Sequence, residues 1–394
     1  MKGRMDAHQI VPDDLIWCRG IAYTACDVHP SAWSFDPQTP GEHGNVHWPT
    51  VPIPNKSVLC VPSFDMGRFM PRFLALPRSF RVTLVTNQED VGVPIELWGL
   101  SKQRRLASHI SMPLPLSDFL NDPRLLHWWV QNYDLTGCNP YSDCSPYGLS
   151  RNASNGDMRA ISKISPIPIG LDLHSAGMTT RATGLFKLPR VMSPCEQARQ
   201  HESIRTALPP WGARRLQLIA PFQCENRDRI AACKAVKRCG EACRLVQMPR
   251  EELWRAIGNF SFVASPFGRG IDSHRTWEVL SLGSVPVVLS SSLDILLENY
   301  PVVIIRSWDE LSSPGAMERW ARGIRLRFGA QPFDSAMRRK LTTRFWTDKI
   351  RSKHTAQTGR VKHATQAEVI DRRPYSMAAI MHLFREAVMA LHRL

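Results

Sequence analysis

Residues 260–289 read FSFVASPFGRGIDSHRTWEVLSLGSVPVVL, and this stretch decides the fold. FSFVASP and SVPVVLS are short runs rich in β-branched and aromatic residues, as buried strands require. Between them DSHRTWEVLSL has helical spacing and stops at Gly283, while Gly268 and Gly270 punctuate the turn before it. A strand, a turn, a helix and a second strand form a βαβ unit with parallel strands.

The same alternation continues outward. RLQLIAPF (215–222) predicts a strand, ENRDRIAACKAVKRC (225–239) a helix stopped by Gly240, CRLVQM (243–248) a strand, and PREELWRAIGN (249–259) a helix opened by Pro249. After residue 289 come a short helix in LDILLENY, a strand in PVVIIRSW and a helix in AMERWARGIRLRF. Five β-then-α units in succession predict an α/β fold with a parallel sheet covered on both faces, a Rossmann-like domain over 212–353. In the first half SVLCVPS (57–63), RVTLVTN (81–87), LLHWWVQN (125–132) and ISPIPIG (164–170) read as short buried strands, with a helical candidate over 95–110. Ser193 and Pro194 open a helix to about Leu208, where PPWG breaks the chain and closes a first domain, 57–208. Residues 1–56 read as a partly irregular extension and 354–374 as a basic linker. Residues 375–394 read as a helix whose Met377, Ile380, Met381, Phe384, Val388 and Leu391 form a docking face.

Composition narrows the partners. The 394 residues are 43% hydrophobic, enough for a real core, and carry a formal charge of +15 with a pI near 9.7. That balance favours anionic partners, nucleic acid among them. The basic residues are spread along the chain without a dedicated run, and no basic motif interleaved with aromatics is present, so nucleic acid is not the expected partner. No stretch approaches the ~18 apolar residues of a membrane span, and the first twenty residues lack a signal-peptide apolar core. The ten cysteines form no CxxC pair and no zinc pattern. Cys138 and Cys144 could bridge in an oxidising compartment, and reduced thiols are expected elsewhere.

The loop at 265–278 has a specific chemistry open to it. Glycines at 268 and 270 and a helix starting near Asp272 form a corner suited to phosphate. Arg269 can grip a diphosphate bidentately, while Arg275 and Glu278 share a helical face. A cation by the helix start and a carboxylate one turn in outline a nucleotide, the carboxylate accepting from ribose hydroxyls. The plainer alternative is a solvated turn with an exposed Arg275–Glu278 pair and His274 at the surface.

SPFGRGIDSHRTWEVLSLGSVPVVLSSSLDILLENYPVVIIRSWDEL (265–311) resembles the donor-binding region of exostosin-like glycosyltransferases. RVTLVTNQEDVGVP, LLHWWVQNYD, PIPIGLDLHS, the Asn226–Arg229 segment and RFWTDKI echo that family more weakly, over most of 57–353. The resemblance implies the GT-B architecture, two Rossmann-like domains facing a cleft, with transfer of a sugar from a nucleotide-sugar donor to a hydroxyl acceptor bound by the first domain. It places Gly268, Gly270 and Arg275 on the diphosphate, Glu278 on the ribose and Arg227 on a second phosphate contact. Asp272 joins the donor set. It also implies a Golgi or other secretory lumen. Phe267 stands where that family carries arginine, and Arg269 fills a position that is variable there.

No D-x-D triplet occurs in the chain, so no metal and no other cofactor is expected, and arginines must offset the leaving-group charge. The base that deprotonates the acceptor in an inverting transfer is sought after the first-half strands, among Glu89, Asp90, Asp172 and His174.

Overall fold

The computed structural model describes residues 15–30, 51–87, 90–101, 112–136, 161–173 and 192–363. The chain is α/β, with two parallel sheets. The first is formed by β1 (Ser57–Cys60), β2 (Val82–Thr86), β4 (Leu125–Val130) and β6 (Ile164–Pro166), in the order β1-β2-β4-β6. A small parallel pair, β3 (Val93–Pro94) with β5 (Tyr133–Asp134), sits beyond its strand ends. The second sheet joins β7 (Arg215–Ala220), β8 (Cys243–Leu245), β9 (Phe260–Ala264), β10 (Val285–Leu289) and β11 (Val303–Ile305), in the order β11-β10-β9-β7-β8. Every residue of β2 and β9 is buried, as strands covered on both faces must be.

Among the described residues the helices are α1 (Cys18–Ala25), α2 (Met66–Leu74), α3 (Ile95–Ser101), α4 (Leu116–Asn121), α5 (Pro194–Ala207) and α6 (Arg227–Cys239). They continue with α7 (Arg250–Ile257), α8 (His274–Ser281), α9 (Asp294–Leu297), α10 (Ala316–Phe328), α11 (Ser335–Lys340) and α12 (Thr343–His363). Their ends follow local chemistry. Ser193 and Glu196 form a reciprocal capping box at α5. Gly283, at φ +75°, closes α8 by a pair of bonds: its N–H donates to Leu280 O, and that of Ser284 to Val279 O.

Three expectations are corrected. Helix α5, placed by sequence at the end of the first domain, packs on the second sheet. Its Ile204 joins Ile219, Leu253, Trp254 and Val263 in one apolar cluster. Residues 354–363, expected as the start of a linker, continue α12. This helix leaves the second domain and lies on the first, where His354 donates from Nε2 to Lys56 O and accepts from Thr83 at Nδ1. Lys349 and Lys353 cover the Trp129 ring, and α12 also packs on α1, which belongs to the expected extension. Polar spacing hid α12 because much of its length faces solvent. The third correction concerns cysteine: Cys26–Cys60, Cys224–Cys233 and Cys239–Cys243 are disulfide-bonded, while Cys18 and Cys195 are buried thiols. Cys138, Cys144 and residues 375–394 lie outside the described residues.

The two domains meet along a polar seam. The Asp272 N–H donates to Asn132 Oδ1 at 2.8 Å, Ile169 N–H donates to Asp272 Oδ2 at 2.8 Å, and His274 Nδ1 donates to Gly170 O at 2.7 Å. Gly270 lies directly against the Asn132 side chain. A Cβ there would stand 2.5 Å from Asn132 Oδ1, whereas one at Gly268 would meet nothing nearer than 3.9 Å. Neither glycine has a positive φ, so Gly270 answers a need for space and not for an unusual torsion.

Gly270→Ala is therefore expected to push Asn132 away and destabilise the chain by about 1–3 kcal/mol, the usual cost of overpacking. Gly268→Ala should leave stability nearly unchanged. Thermal melts of both variants check this, and equal melting temperatures would remove the steric role of Gly270.

Candidate functional site

In the second sheet the chain leaves β7 toward β8 on one side and leaves β9 toward β10 on the other. The loops after β7 and β9 thus diverge at a topological switch point, where open α/β sheets bind ligands. The 265–273 loop is held there by the start of α6. Asn226 caps that helix by accepting from Arg229 N–H, and its Nδ2 donates to Phe267 O at 3.3 Å and Gly268 O at 3.0 Å. Asp228 accepts from Phe267 N–H at 2.9 Å and from Trp308 Nε1 at 2.6 Å.

Arginines gather around this loop. Arg275 and Arg250 hold the two oxygens of Glu278 separately, at 2.7 and 3.0 Å. Glu278 is almost fully buried, its side chain 5% exposed. Burial alone would raise its pKa, but Arg275 and Arg250 outweigh that and hold the carboxyl below the usual range. Arg250 also donates to Gln197 Oε1 at 2.8 Å and to the Asp172 carbonyl, so it spans from α7 to the first domain. Arg229 donates from Nε to Phe267 O at 3.0 Å and lies close enough to Arg275 to repel its charge. Phe267 itself packs against the core, so the guanidinium over this turn comes from α6.

From the first domain, Asp90 approaches His274 and Arg269. Asp90 is exposed at its surface, yet partial desolvation raises its pKa; His274 and then Arg269 oppose the rise, and Asp172 adds to it least. A carboxylate with a raised pKa is a better proton acceptor. His274 donates its Nδ1 proton to a carbonyl, so in the neutral ring Nε2 is the basic nitrogen.

The structure brings together Asp90, Asp172, Arg269, Arg275 and Glu278, with Gly268 and Gly270 in the same loop. Arg227 is exposed on the first turn of α6. Asp272 is set apart. It is not the start of α8, which Ser273 caps, and its 3%-exposed carboxylate gives one oxygen to Ile169 N–H and the other to Trp277 Nε1 at 2.9 Å. It braces the two domains, and a ligand would have to break those bonds to reach it. Glu89 and His174 lie outside the described residues. Sequence reasoning passed over Arg250, at the start of a helix opened by Pro249, and Arg229, two residues past the position it chose. A helix-opening arginine after a strand of the parallel sheet was the available signal. No group of three or more His, Cys, Asp or Glu side chains arranged to hold a metal ion occurs among the described residues, and none of their helices is long and apolar enough to cross a membrane.

Neither a protein-family model nor a curated protein matches the sequence, so the exostosin-like resemblance rests on the quoted motifs. Among solved structures, the chain is similar to α,α-trehalose 6-phosphate synthase from Burkholderia multivorans. The identity is 9% and the TM-score 0.34, over 77% of this chain and 76% of that one. A likeness that distant bears on neither substrate nor mechanism.

Burial raises the Asp272 pKa from 3.8 to about 6. The folded state then binds this proton more tightly than the unfolded one. Its contribution is most favourable below about pH 4 and falls as pH rises to about 6, by up to about 1.4 kcal/mol per pH unit. Asp272→Asn should remove that slope while losing an acceptor for Ile169 or Trp277. Denaturation of both proteins between pH 4 and 7 checks it. A stability difference independent of pH would show that Asp272 does not titrate in this window.

Proposed function

We propose that the chain is a glycosyltransferase of GT-B architecture that moves a sugar from a nucleotide-sugar donor to a hydroxyl acceptor. One observation carries the reading: Arg229, Arg250 and Arg275 gather at the switch point of one sheet, around Phe267 O and Glu278, while Asp90 of the first domain faces Arg269 and His274. A ligand bridging them must be anionic at one end and reactive at the other, as a sugar diphosphate is.

In this reading Arg229, Arg269 and Arg275 face the diphosphate, with Gly268 leaving room for it. They stabilise the negative charge that grows as the bond between the anomeric carbon and the diphosphate oxygen breaks. Asp90 accepts the proton of the acceptor hydroxyl while that oxygen bonds to the anomeric carbon, giving inversion. His274 sits beside Asp90 and tunes it electrostatically. Glu278 accepts from the ribose hydroxyls once an arginine is drawn to phosphate. The chemistry needs no metal, because guanidinium groups occupy the place of a cation. Paired cysteines persist in oxidising compartments, which supports a secretory setting. A second reading, a nucleotide- or glycan-binding relative without turnover, is favoured by the engagement of both Glu278 oxygens in the free protein.

The test is a panel of UDP- and GDP-sugars, read by thermal stabilisation and by donor hydrolysis with and without EDTA. One donor should stabilise the protein and be hydrolysed at a rate EDTA does not change. Stabilisation without turnover selects the second reading, and no response to any donor removes both. With the active donor, Arg229→Ala should raise KM about tenfold or more, the worth of a charged hydrogen bond. Asp90→Asn should cut kcat by about 10²–10⁴ and leave KM little changed. An unaltered kcat would take the base role from Asp90.

A further inference from the structure

About two turns along α5 from Gln197, that helix, the end of α8, Leu15 and the corner between α11 and α12 with Leu341 border a half-open concavity of about 350 Å³. It is lined by Arg205, Arg338, Arg339 and Arg344, with hydroxyls from Ser281, Ser335 and Thr342. Glu202 is the one acid among its lining residues, and it is ion-paired to Arg205. The lining therefore carries four guanidinium groups against one carboxylate. The arrangement is fixed by local structure. Arg338 and Arg339 lie in the last turn of α11 and Arg344 in the first turn of α12, so the bend between the helices places all three on the lining. Arg338 donates from Nε to Phe333 O at 3.0 Å, which holds its side chain in the wall.

Long cationic side chains on a solvated face spread apart to lower their repulsion. Here three elements carry them to one concavity. Arg338 is exposed, and the like charge of Arg205 beside it is partly offset by Glu202. The Ser281 hydroxyl is nearly buried and bonded to His201 Nε2 at 2.8 Å. His201 is neutral there, because burial pushes its pKa down to about 4.

We propose that this cavity is a second anion site, separate from the seam, that takes a compact ligand bearing one or two phosphates. Guanidinium forks match phosphate oxygens bidentately, and Ser335 adds a hydroxyl to the lining. The volume lies at the small end of ligand pockets, which suits an inorganic diphosphate or a sugar phosphate and is too small for a polymer. A free anion and a phosphate ester share this chemistry.

Calorimetric titration of the full chain with inorganic pyrophosphate, and separately with ribose 5-phosphate, tests the proposal. The comparison variants are Arg339→Gln/Arg344→Gln in the cavity and Arg229→Gln/Arg269→Gln in the seam. The wild type should bind at least one probe, less tightly as salt is raised. The cavity variant should weaken that binding about ten- to a hundredfold, two charged hydrogen bonds being lost. The seam variant should leave it in place. Tighter binding of pyrophosphate would point to a free anion, and tighter binding of the sugar phosphate to an ester. No saturable binding of either probe overturns the proposal, as does binding that survives in the cavity variant or disappears only in the seam variant. Arg339 and Arg344 are exposed, so the fold is expected to survive. Should the double variant melt early, Arg344→Gln alone supplies the same comparison. This outcome does not depend on donor turnover, so the proposed transferase reading can fail without it.

Discussion

Asp272 gives one carboxylate oxygen to Ile169 N–H in the first domain and the other to Trp277 Nε1–H in its own, where water hardly reaches. Removing a charge from water costs several kcal/mol unless hydrogen bonds replace the lost hydration. The carboxylate is thus tolerable only while both domains are in place, and its backbone N–H, tied to Asn132, makes the same demand. The constraint passes along the chain. With Asp272 fixed, Ser273 caps α8, His274 reaches Gly170, and Arg275 and Glu278 face the seam at helical spacing.

A rigid loop changes what charge can do. Arg275, Arg250 and Arg229 repel one another, and Arg275 is desolvated as well. Glu278 offsets part of this by meeting two of them at once. The trio resembles a buried ion network whose members are each strongly destabilising if left alone. Its position at the end of β9, between diverging loops, explains how the fold supports that cost: the backbone is held by α6 from one side and by Asn132 from the other.

Much of the second domain was legible because its strands and helices obey local rules. Val and Ile runs, Pro at helix starts, and Gly240 and Gly283 after helix ends each say where an element begins or stops. The βα turn carrying Arg269 ahead of a helix start was legible for the same reason, since such a turn is local. What escaped was set by partners distant in sequence. Asp272 looked like a helix opener facing a ligand, and only Ile169, about a hundred residues earlier, shows it to be a brace. Gly270 looked like a phosphate glycine, and Asn132 supplies its steric reason. Arg250 belongs to a helix that reads as an ordinary amphipathic segment. The return of α12 to the first domain depends on Trp129, Thr83 and Lys56, which no periodicity in the helix reveals.

The occupied state of Glu278 has a consequence for binding under the transferase reading. A diphosphate arriving at Arg275 meets a guanidinium group already paired with a Glu278 carboxylate oxygen. Binding is then an exchange of anions. The new charge-assisted bonds are offset by those given up, so affinity reflects the difference between phosphate and carboxylate as partners, not the full strength of either. The exchange also frees at least one Glu278 oxygen at the moment a nucleotide is present. A carboxylate that is buried, ionised and short of a donor has a strong demand for a hydroxyl, and a ribose beside the diphosphate provides two. Diphosphate and ribose recognition would in this way be coupled through one residue, with neither complete without the other.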